Sequence, residues 1–140
     1  MYDEIGDDST KVTQASAGPV HHVALRVADP VTSLAFYSGL LGFPEVRRFA
    51  APGGVRSVWV RAGDAVLMLE REIRGAGASA GSGHVLVFEV DDLEDWAARL
   101  TLAGRPPVER TESTLYVSDP DGHRVGLTAY PRKTLLAPAL

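Results

Sequence analysis

The chain has 140 residues, 45% hydrophobic and 23% charged, with a formal net charge of −4 and no cysteine. That length supports one domain with a core of its own, and the composition is ordinary for a globular protein. The missing thiols exclude disulfides, cysteine nucleophiles and thiolate metal sites. Arg47-Arg48 and Arg132-Lys133 are the only adjacent basic pairs, too few for a phosphate-binding face, so no nucleic-acid partner is expected.

Residues 1–19 are polar, acidic at the front and without periodicity, and read as a mobile N-terminal tail. They lack the basic start and apolar run of a secretory signal. No apolar run approaches the roughly 20 residues that span a bilayer. A cytoplasmic protein with no membrane partner is expected.

Val23, Leu25 and Val27 alternate on one face of a strand over residues 22–27. Asp29-Pro30 offers a cap with proline at the first helical position. Leu34, Tyr37, Leu40 and Leu41 follow at helical spacing until Gly42 stops the helix. A short strand is expected near 45–49, then strands at 55–60 and 66–70 around the turn Ala62-Gly63-Asp64. Residues 74–83, rich in Gly, Ala and Ser, read as a linker.

The pattern then repeats. A strand at 85–90 leads to Asp91-Asp92, which caps a helix containing Leu93, Trp96, Ala97 and Leu100, and Gly104 ends it. A short strand is expected near 108–111, then strands at 114–117 and 124–129 around the turn Asp119-Pro120-Asp121-Gly122. Val27-Ala28-Asp29 superimposes on Val90-Asp91-Asp92. The reading is an α+β domain over 20–131, built of two βαβββ modules at 20–73 and 84–131. Residues 132–140 remain open, as a C-terminal tail or an arm packed on a neighbour. Each helix covers the convex side of its sheet, which leaves the concave faces to meet water, each other or a ligand.

The segments 21–43, 58–70, 84–100 and 115–127, including HHVALRVADP, VWVRAGDAVLMLE, HVLVFEVDD and LYVSDPDGHRVGL, carry a family resemblance. Together they resemble the vicinal oxygen chelate superfamily of glyoxalases, bleomycin-resistance proteins and dioxygenases. The resemblance implies a cupped mixed β-sheet with helices outside and a small molecule in the cleft. It does not name a reaction, because this fold serves several.

Enzymes of that family hold a divalent metal with residues from the first and last strands of each module. The resemblance places these positions on His22, Met68, Val85 and Gly126. Only His22 offers a donor suited to such an ion; a thioether, an isopropyl group and a hydrogen do not. No cofactor is therefore expected. The alternative is one divalent metal, such as Zn, Fe, Mn or Ni, on His22, Glu70 and His84. It requires a bulge near Gly83 to turn His84 inward, since alternation puts Val85, Val87 and Glu89 on the cleft side.

The expected cleft consists of His22, Arg26, Met68, Glu70, Val85, Val87, Tyr116, Gly126 and Thr128, with Gly126 leaving room for a ring of the ligand. Plainer roles are expected elsewhere: Trp96 and Tyr37 in the core, His123 exposed in its turn. Tyr116 is open between cleft and ordinary sheet surface, Arg26 and Glu70 between binding and pairing with each other, and Trp59 between the two faces of its strand. The leading reading is a homodimeric protein that binds or sequesters an apolar or aromatic compound, such as an antibiotic or natural product. The alternative is a lyase, isomerase or dioxygenase using the rescued metal set, or His22 and Glu70 as acid and base.

Overall fold

The computed structural model describes residues 16–73 and 83–138. Most of the expected N-terminal tail (1–19) and of the linker (74–83) lies outside the described residues. The first module contains β1 (His22–Arg26), α1 (Pro30–Leu34), β2 (Glu45–Ala51), β3 (Gly54–Ala62) and β4 (Ala65–Glu70). The second contains β5 (Val85–Glu89), α2 (Leu93–Leu102), β6 (Glu109–Arg110), β7 (Thr114–Ser118) and β8 (Arg124–Thr128), and a short helix α3 (Arg132–Leu135) follows.

Each module forms its own four-stranded mixed sheet, ordered β1-β4-β3-β2 and β5-β8-β7-β6. The first strand of each module pairs parallel to its last; the remaining pairs are antiparallel. The helices begin alike. Asp29 accepts a hydrogen bond from the Val31 N–H (3.1 Å) and Asp92 from the Glu94 N–H (3.0 Å), each satisfying a donor that the first turn leaves unpaired. They also end alike, on Gly42 at φ 85° and Gly104 at φ 78°, a conformation that a Cβ disfavours.

The core follows the strand alternation. Leu67, Leu69, Val58 and Val60 of the first sheet and Leu115, Val117, Val125 and Leu127 of the second are buried together with Phe36, Tyr37 and Leu100. Phe43 and Phe88 meet edge to face, with centroids 4.8 Å apart, and join the two halves.

Two expectations are corrected here. The helix of the first module is not a uniform α-helix: a π-helical segment over Ala35–Leu40 continues α1. In it the Leu41 N–H reaches the Phe36 carbonyl at 3.0 Å, and the adjacent Phe36 and Tyr37 are both buried. Residue spacing alone does not separate this wider turn from an α-helix. His123, expected to be merely exposed, is half-buried, and its Nε2 donates to the Arg26 carbonyl at 2.8 Å. A carbonyl oxygen only accepts, so the proton must sit on Nε2.

That contact belongs to a clamp between the modules. The Asp119-Pro120-Asp121-Gly122 turn docks on the helix of the first half. Asp121 accepts from the Ala28 N–H (2.8 Å) and the Ser33 hydroxyl (3.2 Å). Asp119, 2% exposed, accepts from the Tyr37 hydroxyl at 2.8 Å and from the Asp121 and His123 N–H groups of its own turn. Sequence reading gave these aspartates to the turn alone.

Burial, and next the facing Asp119 carboxylate, push the Tyr37 phenol well above the ordinary phenol range. Because the folded value is raised, this contribution to stability is whole below the unfolded phenol's value near pH ~10 and is lost as pH rises past it. In an alkaline titration followed at the phenolate band, Tyr37 should ionise only together with loss of the far-ultraviolet circular dichroism. A Tyr37 step that precedes unfolding would contradict the buried bond.

Candidate functional site

Strand register sorts the side chains into faces, since directly opposed residues share one. In the first sheet three rows form the face turned away from the helices. His22, Val66 and Arg61 make one row, Ala24, Met68, Trp59 and Arg47 the next, and Arg26, Glu70, Ser57 and Phe49 the third. In the second sheet the corresponding rows are Val85, Arg124 and Ser118; Val87, Gly126, Tyr116 and Glu109; and Glu89, Thr128 and Thr114. Each expected cleft residue therefore stands on the open face of its own sheet. Val85 and Val87 are 42% and 48% exposed there, unusual for β-branched side chains in a strand.

Trp59 also stands on this face, packed against Phe49 with ring centroids 5.1 Å apart. Its indole Nε1 donates to the Ser57 hydroxyl at 2.9 Å, and Ser57 donates to Glu70 Oε2 at 2.7 Å. The direction is forced. An indole N–H only donates, so the serine oxygen accepts from it and gives its single proton to the carboxylate. Ser57, 1% exposed, is thus fully used inside the sheet. Sequence reading missed Ser57 and left Trp59 open, because both phases of residues 55–60 carry apolar residues. Arg26, beside Glu70 on β1, directs Nη2 to the Ile73 carbonyl at 2.8 Å.

On the second sheet the space above Gly126 is taken. A Cβ there would stand 3.1 Å from Val87 Cγ2, 3.3 Å from Tyr116 Cε1 and 3.4 Å from Thr114 Cγ2. The expectation that Gly126 leaves room for a ligand ring is corrected: its room holds the ring of Tyr116, its cross-strand partner. Arg124 stacks on that ring with its guanidinium carbon 4.4 Å from the centroid, and it also pairs with Glu109. Thr114 and Thr128 are bonded hydroxyl to hydroxyl at 2.9 Å. Glu89 accepts the Arg132 N–H at 2.9 Å, which fixes the start of α3 beside the open face of β5.

The donor set does not fit a divalent ion. Of the four positions that the resemblance implies, Met68, Val85 and Gly126 bring no imidazole or carboxylate, and Tyr116 lies over Gly126. The alternative set is not brought together either. His22 opposes Val66 while Glu70 opposes Arg26, a separation of four residues along the strands, or about 13 Å. His84 precedes β5 rather than lying in it. Among the described residues no three His, Asp or Glu side chains gather to hold a metal. His22 instead has its Nδ1 2.9 Å from that of His21.

Two mixed sheets of this topology, an open face on each, and family words on the first and last strands define a class. The model of the Glyoxalase/Bleomycin resistance protein/Dioxygenase superfamily matches residues 20–127, and the chain belongs to that family. It is 27% identical over 124 residues to virulence protein STM3117 of Salmonella typhimurium, covering 79% of this chain and 83% of the relative. Among solved structures it is similar to TnmS3, an antibiotic binding protein from Streptomyces sp. CB03234, with a TM-score of 0.62 at 22% identity, covering 82% of this chain and 98% of that one. It is also similar to lactoylglutathione lyase from Agrobacterium tumefaciens, with a TM-score of 0.64 at 21% identity, covering 81% of this chain and 95% of that one. Binding proteins and enzymes thus share the fold, and the site must decide the reading.

Proposed function

We propose that this protein is a cytoplasmic, metal-independent binding member of its family that sequesters an apolar or aromatic compound, such as an antibiotic or natural product. Its cleft is lined by His22, Arg26, Met68, Glu70, Val85, Val87, Tyr116 and Thr128, with Gly126 beneath the Tyr116 ring. The observation that carries this reading is the donor set: one imidazole at four positions, the others being a thioether, an isopropyl group and a glycine covered by a tyrosine ring. Sequestration needs affinity alone, and apolar burial supplies it at about 25 cal/mol per Å². Exposed Val85 and Val87 on the second sheet, and Met68 and Trp59 on the open face of the first, are surfaces such a ligand would cover. Among the described residues no helix is long and apolar enough to cross a membrane.

The working unit is a homodimer. β1 and β5 are edge strands of their sheets, and Val85 and Val87 on the open face of β5 are left exposed in a single chain. Native mass spectrometry of gently purified protein tests both parts. The expected result is a dimer that retains a small organic molecule. A monomer at tens of micromolar that takes up no aromatic compound would contradict the proposal.

A further inference from the structure

We infer that the open face of the first module contains a recognition point for a hydrogen-bond donor, centred on Glu70 Oε1, so that the preferred ligand is an aromatic body bearing a protonated amine. This deepens the proposed function and rests on the reading that the cleft binds a small molecule.

The inference follows from the forced direction of the Trp59–Ser57–Glu70 chain. Ser57 delivers its only proton to Glu70 Oε2, so that oxygen is an acceptor held in place from inside the sheet. The other oxygen, Oε1, receives no hydrogen bond among the described residues, although the side chain is half-buried. A carboxylate fixed by one oxygen on the sheet's open face, with the second receiving no described donor, presents a preset acceptor. In its row stand Arg26, Ser57 and Phe49; Ser57 is spent on the chain, and Arg26 donates to the Ile73 carbonyl.

The adjoining row supplies the flat surface. Met68 lies directly across from Trp59, whose ring leans on Phe49. A polarizable thioether beside two aromatic rings suits a planar ligand. The indole is fixed by the same serine that orients the carboxylate. Platform and acceptor therefore form one rigid unit, the arrangement that gives orientation as well as affinity.

The test compares three probes with one ring body: naphthylmethylamine, naphthylmethanol and naphthoate. Affinity is read by calorimetry on the full chain, and location by the Trp59 indole N–H resonance. The chain has two tryptophans, so a Trp96→Phe variant assigns that signal. The expected result is that the amine binds at least about tenfold tighter than naphthoate and moves the Trp59 resonance. Glu70→Gln should remove the amine's advantage, so that the amine and the alcohol then bind alike. Similar affinities for all three, or tightest binding of naphthoate, with the Trp59 resonance moving, would overturn the inference and leave the cleft reading standing. Failure of every probe to move that resonance at millimolar concentration would overturn both. The ranking on the unaltered protein decides the matter even if Glu70→Gln fails to fold.

Discussion

Asp119→Ala should cost about 3 kcal/mol of folding stability, because it orphans a buried network rather than trimming one contact. The Tyr37 hydroxyl, on a residue 0% exposed, would lose its acceptor with no water to replace it. The Asp121 and His123 N–H groups of the turn would lose theirs as well. The turn would then release Ala28 and Ser33, and with them the docking of one module on the other. Tyr37→Phe removes only the donor and should cost about 1 kcal/mol. Urea unfolding of both variants and of the double variant checks this. The single costs should not add, since they share one bond; additive costs would mean that the clamp is not formed in solution.

The second large effect separates two neighbours on β4. Leu69, 0% exposed, sits among Leu25, Val58 and the first helix, and Leu69→Ala should cost about 3 kcal/mol through the cavity that it leaves. Met68 points to the opposite, open face, and Met68→Ala should cost about 1 kcal/mol or less while weakening uptake of aromatic ligands. Equal costs at the two positions would show the strand in the wrong phase, and every site residue named from register would move to the other face.

That phase was legible in the sequence because it rests on local periodicity. Val23, Leu25 and Val27 declare their face without any partner, and Asp29 and Asp92 declare the helix starts. The repeat then carried the assignment from one module to the other. The covering of Gly126 was within reach too: the turn at 119–122 fixes the hairpin register, which sets Tyr116 opposite Gly126. What local pattern cannot show is partner choice over long range. Tyr37 and Asp119 are 82 residues apart, and nothing near either one names the other. The same holds for His123, whose turn looks solvent-exposed until the Arg26 carbonyl is brought against it. Ser57 and Trp59 stayed hidden because Val58 and Val60 on one phase compete with Val55 and Trp59 on the other.

In the proposed function the open face offers a ligand surface and not a metal centre. Divalent sites of useful affinity need about three protein donors, and the implied positions supply one. Elemental analysis is the direct measurement, made after incubation with zinc, iron, manganese or nickel and exhaustive dialysis. Well under about one-tenth of a metal ion per chain is expected for each. A value near one per chain, abolished by His84→Ala, would contradict this expectation and replace the binding protein with an enzyme.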